Sequence, residues 1–262
     1  MRGRPPAFRS ALVLAFALGL YIGSVAMAQQ RVLMSSEHSN TKATLMIIDG
    51  DATLRLESPG AAARVIPLGT DWQGVSLVRF APGGARVAII GEGATAQVSI
   101  VDVPSAQVVA TYPIAAAAVS PDGRAVILEH FRNSQAAGAA RFSLVPLTAP
   151  AFDIHTDDRS YVRQTDFQWT DPEVVAFIES VGTEAQLVAL QVDTSGRVQK
   201  RAEKSLPLNE LIDTSLVKDG VPAKALAGAE ISRIPSAGLT VRLEFPAHPA
   251  LRRRTADVRV WE

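Results

Sequence analysis

The stretch from Val75 to Ile154 constrains this chain most, because it reads as one four-strand unit written twice. In the first copy, Val75–Phe80 alternates apolar and polar residues for most of its length, the period of a half-buried strand. Ala81-Pro82-Gly83-Gly84 interrupts it with a tight turn, since proline presets φ and glycine supplies φ > 0. Val87–Ile90 is a short run rich in β-branched residues, suited to a buried strand and closed by Gly91. A small polar loop, Gly91 to Thr95, precedes a third strand at Gln97–Val103. Pro104-Ser105-Ala106 then turns the chain into a fourth, Gln107–Thr111. The second copy opens on Ala116–Val119 and the turn Ser120-Pro121-Asp122-Gly123. It continues through Arg124–Leu128 and Ala140–Val145, and Phe152-Asp153-Ile154 is its expected fourth strand.

Pro82 and Pro121 stand 39 residues apart (121 − 82). A period of ~40–45 residues with four strands in each is the spacing of β-propeller blades. The cause is burial: one four-stranded sheet cannot cover both of its faces, so neighbouring units must stack. With these residues in view, Ala81–Ile114, which contains Val98-Ser99-Ile100-Val101-Asp102 and Gln107-Val108-Val109-Ala110-Thr111, resembles a YVTN-type propeller repeat. Ser120-Pro121-Asp122-Gly123-Arg124 is similar to the opening of the same repeat and to repeats in the propeller of the Tol–Pal periplasmic protein. The resemblance implies a fold and no activity, since propellers host many unrelated functions. Gly83 stands where such repeats usually carry Asp, and no unit has a Trp-Asp ending.

A third copy spans Val162–Trp169, the turn Thr170-Asp171-Pro172-Glu173, Val174–Ile178, Gln186–Val192 and, after Asp193-Thr194-Ser195-Gly196, Arg197–Lys200. Ahead of the centre, Arg31–Met34, Ala43–Ile48 and Thr53–Leu56 read as strands. Ser35–Lys42 reads as a polar loop and Asp49-Gly50-Asp51 as a hairpin turn. That unit reads as a blade lacking its first strand, with Val65–Leu68 as a connector. Beyond the third copy, Leu206–Ile212 reads as a short helix with Pro207 in its first turn. Leu239–Phe245 and Asp257–Trp261 are strands of a last, incomplete unit. The expected architecture is all-β: a β-propeller-like domain over residues 29–262, with about five four-stranded blades, incomplete or open.

Residues 1–28 have the pattern of a secretory signal peptide. Arg2, Arg4 and Arg9 supply the positive region, Ala11–Val25 the apolar region and Ala26-Met27-Ala28 the cleavage site. The alternative is an uncleaved N-terminal anchor, because the apolar stretch approaches the ~20 residues that span a bilayer. After cleavage no membrane span is expected. The chain has no Cys, so an exported form carries no disulfide and no thiolate metal site. A periplasmic address is expected. Lys plus Arg and Asp plus Glu both number 26, and this zero net charge argues against nucleic acid as a partner.

No catalytic constellation stands out. His38, His130, His155 and His248 are far apart in sequence and lie outside any H-E-x-x-H setting. The best local group of ligand-type residues is His155 with Asp157 and Asp158. Imidazole with carboxylate suits zinc, and carboxylates suit calcium, while a solvated loop explains the same residues without a metal. Ser120 precedes a proline and lacks the strained elbow a nucleophile needs, so it reads as structural. Asp122 and Asp171 are expected to bond backbone in their turns. Gly91-Glu92-Gly93 precedes a strand and is no phosphate loop. Arg252-Arg253-Arg254 reads as a solvated hairpin tip. Trp72, Trp169 and Trp261 read as packing residues of separate units. The expected role is a non-enzymatic protein-binding or scaffold module that contacts another envelope or periplasmic protein and holds no cofactor. The alternatives are an enzyme or metal-dependent ligand-binding propeller with its site at the central channel, and a structural subunit of a periplasmic redox complex.

Overall fold

The computed structural model describes residues 30–70, 72–93, 96–130, 142–148, 155–157, 162–181, 183–217 and 222–262. Its strands form five separate antiparallel sheets in chain order, the arrangement of a β-propeller. The first sheet comprises β1 (Gln30–His38), β2 (Thr41–Ile48), β3 (Asp51–Glu57) and β4 (Arg64–Gly69). The second comprises β5 (Trp72–Phe80), β6 (Arg86–Gly93), β7 (Gln97–Asp102) and β8 (Gln107–Pro113). β9 (Ala116–Val119), β10 (Ala125–Glu129), β11 (Phe142–Pro146) and β12 (His155–Asp157) form the third. The fourth has β13 (Val162–Arg163) and β14 (Gln168–Asp171), both paired with β15 (Val174–Val181), followed by β16 (Glu184–Val192) and β17 (Val198–Ser205). The fifth has three strands, β18 (Glu230–Ile234), β19 (Leu239–Glu244) and β20 (Thr255–Trp261).

Four expectations change. The first blade has all four strands: β1 runs on through Ser35–His38, and β4 takes the place of the expected connector. The reason is a tight hairpin at Ser39 and Asn40, both with positive φ, the two-residue turn whose twist suits paired strands. Gly91 lies inside β6 and does not close it. It stands against the ring of Trp72, where a Cβ would fall 2.6 Å from a ring carbon. The fourth strand of the third blade is His155–Asp157, a segment whose polar composition reads as loop, while Phe152–Ile154 lies outside the described residues. The inner strand of the fourth blade is broken in two. At the break Thr165 Oγ1, not a strand carbonyl, accepts the Ile178 N–H at 2.9 Å.

The core is four layers of side chains, each between successive blades. Leu45, Leu54 and Ile66 meet Val78, Val87 and Ile89 between blades one and two. Ile90, Val98 and Ile100 meet Val126, Leu128 and Val145 between two and three. Phe142, Phe167 and Phe177 dominate the layer between three and four. Leu187 and Ala189 meet Val241 and Leu243 between four and five. Helix α1 (Leu208–Leu211) and Leu226 from the segment after β17 also contribute to that layer. Arginines stitch the same joints: Arg64 Nη1 donates to Pro104 O at 2.8 Å, Arg79 to Pro121 O, and Arg124 to Asp193 O at 3.3 Å.

Five blades closed in a ring would share five such layers. Among the described residues no apolar core joins blade five to blade one, so the propeller is open there. Both faces that would have met carry an ion pair, Arg55 with Glu57 on blade one and Arg242 with Asp257 on blade five. Blade one presents Val32, in register with Met46, and Val65, in register with Arg55. Blade five presents Arg242, Glu244, Asp257 and Arg259, with Arg242 and Asp257 in a two-point ion pair. Burying both sets of charges in one joint would cost more than the few apolar contacts there return.

Candidate functional site

The histidines singled out in the sequence fall on different elements. His155 and Asp157 fall on β12, opposite Leu144 and Phe142 in register, and Asp158 lies outside the described residues. Among the described residues no group of three metal-ligating side chains converges. His38 stacks near Phe80 with ring centroids 5.9 Å apart, and His248 Nδ1 accepts the Ala250 N–H at 3.1 Å. Ser120 is fully buried. Its hydroxyl donates to Asp122 Oδ1 at 3.0 Å and accepts the Ala125 N–H at 3.1 Å, so it serves the turn. Asp122 and Asp171 accept the backbone N–H groups of Arg124 and Glu173, as expected of turn aspartates. Trp169 Nε1 donates to Ala118 O at 3.3 Å across blades three and four, and Lys200 lies over the Trp261 ring at 4.9 Å. In the run of three arginines, Arg252 N donates to Leu211 O and Arg254 Nε to Phe245 O, which ties the tip to helix α1 and to its own blade.

What the fold does bring together is a buried polar cluster where β10, β13 and β15 meet. Glu129 ends the otherwise apolar strand β10 and is 7% exposed. Glu179 of β15 is fully buried. Arg163, in register with Glu179, turns its guanidinium to blade three. Its Nε donates to Glu129 Oε2 at 2.8 Å, and its Nη1 to Thr165 O at 2.6 Å and Asp166 Oδ1 at 2.9 Å. The guanidinium also lies 5.0 Å from the Phe167 ring centroid. Gln186 Nε2 donates to Glu179 Oε1, and Gln164 Nε2 to Ser180 Oγ at 2.8 Å. Burial by itself would lower the Arg163 pKa, but the hydrogen bonds and charges of Glu129 and Asp166 outweigh it and raise it above the usual value. An arginine held this way exchanges no proton near neutral pH. It fixes blade three to blade four electrostatically.

One further pair lies at the same end of β10. His130 Nε2 and Ser143 Oγ are 2.8 Å apart, within reach for a base and a hydroxyl, although Ser143 is only 3% exposed. Sequence reading overlooked both constellations because their members are distant: Glu129 and Arg163 by 34 residues, His130 and Ser143 by 13. One signal was present. A carboxylate that extends the run Ala125–Leu128 marks a charge carried into a core strand.

No family model matches the sequence, and no curated protein matches it. Among solved structures the chain is similar to the β-propeller domain of the Trilobed protease from Pyrococcus furiosus. That likeness has 11% identity and a TM-score of 0.45, and it covers 88% of this chain and 68% of that one. It is also similar to Pyrococcus horikoshii acylaminoacyl peptidase, with 13% identity and a TM-score of 0.40, over 82% of this chain and 35% of that one. A third likeness is to the β-propeller domain of Myceliophteria thermophila Cps50 (Swd1), with 13% identity and a TM-score of 0.32, over 63% and 55%. The chain spans about a third of the peptidase, and the fold assignment rests on its own sheet topology.

Proposed function

We propose that this chain is a non-catalytic protein-binding module of the cell envelope, exported by residues 1–28 to the periplasm, where it contacts another envelope protein. The observation that carries this reading is the open ring: among the described residues four inter-blade cores serve five blades, so no other blade core covers the outer face of either terminal sheet. On blade one, Val32 and Val65 are 60% and 57% exposed. In the register row of Val65, Thr44 Oγ1 and Arg55 Nε are buried without a hydrogen-bond partner among the described residues. The exposed valines at the two edges of that sheet suit a surface that a partner covers. No helix among the described residues is long and apolar enough to cross a membrane, and the leader lies outside them.

Mild cross-linking in the native envelope, purification and mass spectrometry test the proposal. A specific stoichiometric partner is expected. A lone chain carrying a bound small molecule overturns it.

The second reading is an enzyme whose site is assembled near the end of β10, and the 2.8 Å contact of His130 with Ser143 favours it. A fluorophosphonate probe tests it: labelling abolished by Ser143→Ala supports an activated serine, and no labelling sinks that reading.

A further inference from the structure

Blade five has three strands among the described residues. Blades one to three each have four strands, and in blade four β17 is the outermost. In blade five β20 occupies the third position, and among the described residues no strand pairs with its far edge. A sheet edge left this way is a row of backbone donors and acceptors ready for another extended segment. The place beside β20 is lined by the adjacent blade. β17 pairs with β16 so that Lys200, Ala202 and Lys204 stand opposite Gln191, Ala189 and Leu187. Ala189 and Leu187 belong to the layer shared with blade five, so the alternating lysines lie on that side of the sheet. Both are exposed, and neither forms an ion pair among the described residues. Lys200 is already drawn over the ring of Trp261 in β20.

We infer that the far edge of β20 is the docking site for an extended, acidic segment of the partner protein, added antiparallel as the fourth strand of blade five. This rests on the protein-binding reading and specifies its partner. Backbone pairing along Thr255–Trp261 holds the segment, and carboxylates four residues apart on one of its faces meet Lys200 and Lys204, which are four residues apart with Ala202 between them on the same face of β17.

The test uses the protein purified from its envelope and two synthetic peptides: one alternates glutamate with valine and threonine, and the other has lysine for glutamate. Hydrogen exchange is read with and without each peptide. The acidic peptide is expected to bind and to protect those amides of residues 255–261 that point away from β19, and the basic one is not. Lys200→Glu with Lys204→Glu is expected to weaken the acidic peptide about tenfold or more and to admit the basic one. Protection, in the protein alone, of the β20 amides that point away from β19 would mean the edge is filled by its own chain and would overturn the inference. So would protection appearing elsewhere, or no binding. A cross-linked partner that maps to Val32 and Val65 would leave the protein-binding reading standing while this site fails.

Discussion

A Cβ built on Gly123 would stand 2.0 Å from the carbonyl oxygen of Phe80, so the turn that opens blade three is pressed against the end of the inner strand of blade two. The inter-blade joint is therefore made by backbone as well as by apolar side chains. Gly123 also has φ +79, and Gly83, in the corresponding turn of blade two, has φ +80 with nothing within 4 Å of its Cβ position. The pair separates conformational strain from contact. Gly83→Ala is expected to cost about 1 kcal/mol for the positive φ alone. Gly123→Ala is expected to cost about 3 kcal/mol or more, since backbone must shift as well. Urea unfolding of both variants measures the difference, and equal costs would contradict the joint.

The Arg163–Glu129 pair predicts a non-additive response. Their side chains are 16% and 9% exposed, so removing one partner leaves a charge buried. Arg163→Met and Glu129→Gln are each expected to destabilise by about 3–5 kcal/mol. The double variant is expected to recover part of that loss, because the orphaned charge is gone. Strictly additive losses would mean that the two residues act separately.

The Phe142, Phe167 and Phe177 rings form an edge-to-face triad, with centroids 5.0 to 6.4 Å apart, between blades three and four. Phe177→Ala is expected to cost about 3–5 kcal/mol, and Phe177→Leu clearly less, since leucine refills most of the volume. Thermal unfolding of the two variants checks the order.

Acid sensitivity has a defined sign. Burial would raise the Asp122 carboxyl, but hydrogen bonds from Arg124 and Ser120 and the Arg124 charge hold it below the usual value. Asp193 is likewise lowered: burial is outweighed by the hydrogen bonds of Ser195, Arg197 and Gln199. A depressed folded pKa contributes stability that is present above the unfolded value, near ~3.9, and is lost as pH falls through the folded pKa. Asp122→Asn and Asp193→Asn are expected to be less stable than the native chain near neutrality and to lose less of their stability on acidification below about pH 4. Urea midpoints across that range decide it, and parallel curves for native and variant would refute the linkage.

Turn chemistry and alternation were local, and they were legible. Asp49-Gly50, Ser120–Gly123 and Asp193–Gly196 all turn the chain where their residue types say they should, and Val174–Ile178 and Leu239–Glu244 are strands. Polar strands were not legible. Ser35–His38 and His155–Asp157 have the composition of loops, and they extend only because a neighbouring strand supplies their hydrogen bonds. Glu230–Ile234 was missed for the same reason.

The sequence by itself determined the repeating unit, the number of sheets and the short helix before the last blade, since each depends on residues within one turn or one strand. The tertiary structure decided that the ring stays open, that the inner strand of blade four breaks at Thr165, and that Glu129 reaches Arg163. Those outcomes depend on which faces meet, and a face is assembled from strands tens of residues apart. The charged outer face of blade five is unremarkable in any one strand, and it exists only when Arg242, Glu244, Asp257 and Arg259 stand side by side.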